Sequence, residues 1–227
     1  MVPGLTDHTD HPQDLLCSPF VRELKVSGAS ISVSSNPARQ STVCASDACA
    51  ARIDALQFEL GEGPRWDALT SRAPVLCPDI PAVEDTRWPI FLAAVRELHV
   101  GATFSFPMRI GAAIVGVVDL YCDAPRAADQ EFLARASTLA GRVASGAVQK
   151  ALHSAENHAS YESAMAPALR REVHQATGLI LSQLDVTATE AFSRLQGYAF
   201  ASGESIRDVA HRVVERTLRF DDAPDNY

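Results

Sequence analysis

At 227 residues, with 47% hydrophobic and 21% charged side chains, the chain has the composition of a globular protein with room for two small domains, which excludes general disorder. A formal net charge of −8 excludes coating of nucleic acid or an anionic membrane by charge alone, while leaving room for a local basic site. Five cysteines, Cys17, Cys44, Cys49, Cys77 and Cys122, form no C-x-x-C pair, so they read as small buried hydrophobes of a reducing cytoplasm rather than a disulfide framework or zinc site.

Residues 1–19 are expected to be a flexible tail without the charged start and apolar core of a secretory leader. The run Phe20 to Leu24 is expected to close a short helix. From Ala29 the pattern turns to period two, with Ala29, Ile31 and Val33 alternating with Ser30, Ser32 and Ser34, as a half-buried strand requires. Asn36-Pro37 marks a turn, and Ser41 to Ala45 is its hairpin partner. A short helix follows near Ala48 to Leu56. Gly61-Glu62-Gly63-Pro64 is a tight turn, Trp66 to Leu69 one helical turn, and Val75 to Cys77 a brief strand. Arg87 to Leu98 places Ile90, Phe91, Ala94 and Leu98 on one helical face. Ala102, Phe104, Phe106, Met108 and Ile110 then alternate with polar residues and Pro107 up to Gly111-Ala112, and Ile114 to Tyr121 returns as the second arm of a hairpin. Its apolar core is too short to cross a bilayer and contains Asp119. The fold class is α+β: an antiparallel sheet with flanking helices over residues 20–124.

The segment Leu56-Gln57-Phe58-Glu59-Leu60-Gly61-Glu62-Gly63-Pro64, followed by Pro107-Met108-Arg109-Ile110 and Val115-Gly116-Val117-Val118-Asp119-Leu120-Tyr121, resembles actinobacterial GAF domains. That resemblance implies a small-molecule sensor. Trp66, Trp88, Phe91 and Phe104 are the natural lining of a ligand pocket beside the sheet, as they are of an ordinary core.

Residues 125–164 read as a helical stalk, with Leu133, Ala140 and Ala147 recurring every seven residues and Ala136 and Val143 offset between them. Two packings suit this seam: against a second copy in a homodimer, or, for its first half, against the chain's own sheet.

Residues 165–220 divide into three helices, and 221–227 form a tail. In the first helix Leu169, Val173, Ala176, Ile180 and Leu184 line one stripe, with Arg170, Arg171, His174 and Gln175 opposite. Thr187-Ala188-Thr189-Glu190 is a capping-box pattern that starts the second helix, and Gly203 ends it. Ile206, Val209, Ala210 and Val213 form the third core stripe. Seven arginines face nine acids from Met165 onward, and three of those acids lie past Phe220. Asp208 with Arg212, and Glu215 with Arg219, stand at i,i+4 spacing.

Three linked segments here resemble the ANTAR domain: His174-Gln175-Ala176-Thr177-Gly178-Leu179-Ile180-Leu181, Glu190 to Ala199, and Ile206-Arg207-Asp208-Val209-Ala210. One departure is Thr177, where the family often has lysine. The resemblance implies a transcription antitermination regulator that binds tandem RNA stem-loops in nascent transcripts. Its RNA-binding residues here are Arg170, Arg171, His174, Gln175, Ala176, Gly178, Arg194 and Arg207. A mid-helix glycine costs about 1 kcal/mol relative to alanine, and close approach of an RNA loop over Ala176 and Gly178 accounts for Gly178; so does close helix packing.

No phosphate-binding loop, H-E-x-x-H pair or nucleophile elbow occurs, so no enzyme, cofactor or metal site is expected, and His8 and His11 fall in the tail. Free methionine sulfoxide reductases, a GAF-like enzyme class, place cysteines around the glycine turn, where Arg65 stands here. Redox sensing through Cys44 and Cys49 is the alternative to a small-molecule signal. The expected place is the cytoplasm and the expected assembly a homodimer. Two further readings are a DNA-binding regulator and a dimeric ligand-binding scaffold without nucleic-acid binding.

Overall fold

The computed structural model describes residues 14–36, 39–83, 87–156 and 165–220. Most of the sequence 1–19 assigned to a tail, and all of 221–227, lie outside these residues. Residues 14–19 do not: helix α1 spans Asp14–Leu24 with Pro19 inside it, and buries Cys17 and Phe20 against the sheet.

Five strands follow: β1 (Gly28–Asn36), β2 (Arg39–Ala45), β3 (Val75–Cys77), β4 (Ala102–Ile110) and β5 (Ala113–Cys122). They form one antiparallel sheet in the order β2-β1-β5-β4-β3, so the β4–β5 hairpin lies inside the sheet and not at its edge. Pro107 sits past the end of the β3 pairing, which stops at Ser105, so its missing amide hydrogen leaves no gap on that side. A Cβ at Gly116 would lie 2.1 Å from the Ser32 carbonyl oxygen of β1, so this strand crossing requires glycine.

Both faces of the sheet are covered. On one, α1 and α5 (Gln130–Glu156) bury Ile31, Phe104, Phe106, Met108 and Leu120. On the other lie α2 (Ala48–Leu60), α3 (Pro64–Ser71) and α4 (Pro89–Arg96). The serines expected to face water are therefore buried too: Ser30 is 1%, Ser32 0% and Ser105 1% exposed. What makes this tolerable is a charged network. Arg65, at the start of α3, is fully buried and donates to Asp119 Oδ2 of β5 through Nε at 2.8 Å and Nη2 at 2.6 Å, and also to Asp54 Oδ1 of α2. Ser32 and Thr42 donate to Asp54 at 2.6 and 2.7 Å, and Ser105 to Asp119 at 2.5 Å. Burial opposes the Arg65 charge, but Asp119 and Asp54 outweigh it, and the guanidinium is held more firmly protonated than an ordinary arginine. Gly61 at φ 64° and Gly63 at φ 122° make the turn that swings Arg65 beneath α2.

Of the two packings open to the first half of the stalk, the structure shows the one on the chain's own sheet. Ala136, Ala140, Ala144 and Ala147 are buried on the chain's own sheet, so the small-residue seam is used within the domain rather than by a second copy. Residues 157–164 lie outside the description.

The cysteine expectation is also corrected. Cys17 of α1 and Cys44 of β2 are joined by a disulfide, with Cα atoms 6.2 Å apart. Cys44 therefore does not pair with Cys49, whose half-buried thiol is held above its ordinary range by burial. Two residues 27 positions apart and in different elements meet here, which spacing does not reveal. The bridge constrains the unfolded chain, so reduction, or a Cys17→Ala/Cys44→Ala variant, is expected to lower stability by roughly 3 kcal/mol. Urea melts with and without reductant measure it; coincident curves would show that the bridge contributes nothing.

Candidate nucleic-acid interface

The C-terminal bundle is built as its sequence patterns require. α6 (Met165–Leu184) contributes Val173, Ala176 and Ile180 to a core shared with Ala191, Leu195 and Ala199 of α7 (Ala188–Ser202) and Ile206, Val209, Ala210 and Val213 of α8 (Ile206–Val214). Thr187 Oγ1 accepts from the Glu190 amide at 3.3 Å while Glu190 Oε2 accepts from the Thr187 amide at 2.8 Å, completing the capping box. α7 stops at Gly203, which has φ 69°. Ser205 caps α8 by accepting from the Asp208 amide at 3.1 Å.

The candidate residues fall on different faces. Ala176 is fully buried in the bundle core, which removes it from any contact surface and corrects the expectation that it lowers the helix face for a loop. Gln175 and Gly178 are exposed, and beyond its chain neighbours and the helix's own backbone nothing lies within 4 Å of where a Gly178 Cβ would stand. Helical geometry sets Arg171 one turn before Gln175, and Arg170 one turn before His174. His174 is half-buried and turned toward the sensor, its ring edge-on to Phe58 at 6.2 Å. Arg194 and Arg207 are exposed on α7 and α8. Thr177 is buried and bonds back to the Val173 carbonyl at 2.7 Å. Arg212 donates to Glu204 at 2.8 Å, while the Asp208 carboxylate accepts from Ser205 at the helix cap. Tyr198 stacks 5.4 Å from Phe220.

Sequence reasoning missed the joint between the two halves. Phe58 of α2, read as part of a sensor motif, is fully buried in the bundle core, with its ring 5.5 Å from Phe192. Gln196 of α7 donates to the Phe58 carbonyl at 3.4 Å. A large apolar residue on a helix face shared with Asp54 was the only available signal, and it does not say what lies opposite.

The four residues expected to line a sensor pocket do not share a space. Trp88 and Phe91 pack together under α4, Phe104 points to the opposite face beside Phe132 at 5.0 Å, and Trp66 donates to the Gln57 carbonyl at 2.6 Å. Among the described residues no cluster of His, Cys, Asp or Glu is arranged to hold a metal, and no helix is long and apolar enough to cross a membrane.

A family model described as the GAF domain matches residues 14–146, well over half the chain. The chain belongs to the GAF domain family. A second model, the ANTAR domain, matches residues 164–214, so the protein pairs a GAF sensor with an ANTAR domain, the organisation of a sensory regulatory protein. Among curated proteins none matches. The GAF domain of a phosphoenolpyruvate-protein phosphotransferase from Coxiella burnetii is 14% identical, covering 63% of this chain and 84% of its own, with a TM-score of 0.50. GAF3 from Synechocystis, in its photoproduct state, is 12% identical over 63% of this chain and 95% of its own, with a TM-score of 0.46. A type II free methionine-R-sulfoxide reductase from Thermoplasma acidophilum is 15% identical over 59% and 87%, with a TM-score of 0.43. The first of these likenesses supports the GAF fold and nothing further.

Two outcomes test this geometry. Replacing Phe58 with alanine removes a ring from the joint, at an expected cost of about 3–5 kcal/mol. Hydrogen exchange should then quicken in α6 and α7 while β4 and β5 stay protected; uniform quickening would mean the ring supports the GAF core instead. His211 Nδ1 lies 2.7 Å from Glu172 Oε1, linking α8 to α6, and that hydrogen bond raises the imidazole pKa above its usual value. Because the folded value is raised, the stabilisation is complete below about pH 6.5, the unfolded value, and is lost as pH rises through the folded one. Proton NMR titration should show the elevated midpoint, and Glu172→Gln should return it to normal.

Proposed function

We propose that the protein is a cytoplasmic transcription antiterminator whose ANTAR domain binds tandem stem-loops in nascent RNA under control of its GAF domain. The observation that carries this reading is the exposed strip of α6, where Gln175 and the open backbone at Gly178 lie within a bundle matched by the ANTAR model. Loop bases require such a low surface with short polar side chains and a few arginines. Arg170, Arg171, Arg194 and Arg207 are the cations of the site, and His174 joins it when α6 parts from the sensor. Two stem-loops call for two readers, so the working unit is a homodimer. The weak net charge of the bundle means that paired sites, rather than counterion release, supply the affinity.

A duplex-DNA reading fares worse. α8 has Asp208 in its first turn, and Arg212 is engaged by Glu204, which leaves a poor recognition helix. Gel-shift titration of the full chain against paired hairpins, a single hairpin and duplex DNA is the test, with paired RNA expected to bind most tightly. An Arg170→Ala/Arg171→Ala variant should weaken that binding at least tenfold, in line with two lost charge-assisted contacts. Equal binding to duplex DNA, or no binding to structured RNA at low salt by a folded chain, overturns the assignment.

A further inference from the structure

Where the GAF sheet meets α6 there is a cleft of about 640 Å³, a volume typical of small-molecule sites. Val33 and Val115 of the sheet, Val148 and Leu152 of α5 and Leu181 of α6 form its apolar walls. Leu152 and Leu181 are 58% and 37% exposed, so apolar surface stands uncovered inside it. Gln40 of β2 also lines the cleft, is 1% exposed, and has no hydrogen-bond partner on either its amide nitrogen or its amide oxygen. Buried polar groups are almost always satisfied, because each one left open costs about 1–3 kcal/mol. Among the described residues lining the cleft there is no Asp, Glu, Lys or Arg, and the titratable one is His174, whose ring faces Phe58, so a neutral ligand suits the lining best. On the other side of the sheet Arg65 and its two carboxylates fill the region beneath α2 and α3, and the groove of about 600 Å³ at the end of α3, lined by Leu69, Thr70, Arg72 and residues 112–114, has no unpartnered buried polar side chain among its described lining residues.

We propose that this cleft binds a small, neutral, mostly apolar molecule carrying a cis-amide edge, whose adjacent donor and acceptor pair with the oxygen and nitrogen of the Gln40 side chain. Such a molecule touches the edge of the sensor and the helix bearing Gly178 together. Its consequence for RNA rests on the antiterminator reading; its binding does not.

The probe is the cyclic dipeptide cyclo(Leu-Phe), with its N,N′-dimethyl form, which keeps the acceptors and lacks the donors, as control. Side-chain amide NMR of the full chain, with the Gln40 resonance assigned by its loss in Gln40→Leu, follows the titration. The Gln40 signal is expected to move saturably with cyclo(Leu-Phe), and both the dimethyl form and the Gln40→Leu variant should bind at least tenfold more weakly. Ala151→Phe, which narrows the cleft from α5, should block binding while leaving Gln40 in place, and thermal melts confirm that both variants fold. Three results overturn the proposal: a Gln40 signal unmoved by the probe, with cross-peaks to an ordered water alone; undiminished binding by Gln40→Leu; or a cleft sealed by a second copy, seen as a dimer whose dissociation first exposes Leu152 and Leu181. RNA enters none of these readouts, so failure here leaves the RNA assignment standing, and the reverse holds.

Discussion

The buried charge of Arg65 constrains everything else in the sensor. A guanidinium without water needs carboxylates, and these come from two elements, Asp54 on α2 and Asp119 on β5, each further held by serine or threonine hydroxyls of the sheet. Removing Arg65 would leave two carboxylates uncompensated in the interior, which is far costlier than the net worth of the network. The geometry is accordingly fixed: α2 cannot slide along the sheet without breaking the Asp54 contacts. Phe58 stands one turn beyond Asp54, so the same network that fills the sensor's interior also aims the ring that enters the bundle.

This arrangement bears on how a signal is passed. Beneath α2 and α3 the GAF domain is filled by Arg65 and its carboxylates, and Trp88, Phe91 and Phe104 serve as core. An apolar cleft lies where it borders α6. Sensor and reader thus share a boundary containing both the Phe58 joint and the uncovered walls of the cleft. Gly178 itself lines that cleft, so the boundary and the exposed strip of α6 are contiguous.

Local chemistry was legible in the sequence. Thr187 and Glu190 define a helix start within four residues, Gly203 a helix end, and Gly61 and Gly63 a turn, because each acts on its immediate neighbours. The stripes through Val173, Ala176 and Ile180 of α6 and Ile206, Val209, Ala210 and Val213 of α8 were legible for the same reason. The failures involve partners far along the chain. Ser30, Ser32 and Ser105 looked solvent-facing because nothing nearby announces that Asp54 and Asp119 will receive the hydroxyls of Ser32 and Ser105. Residues 14–19 carry no periodic signal of their own, yet their helix is held by the burial of Cys17 and Phe20 against a sheet formed later in the chain. Ala176 and Gly178, two positions apart, were taken as one surface, although that spacing turns the helix by about 200° and sends one residue into the core.

The sheet has two edges, and they are protected differently. β3 is only three residues long, too short to template another strand. β2 runs for seven residues and lies against α6, so part of its flank is sheltered by the bundle. Cutting the chain after the sensor would strip that shelter away and leave a row of backbone groups open to pairing with a neighbour. The C-terminal bundle therefore also acts as a guard against edge-to-edge aggregation of the sensor.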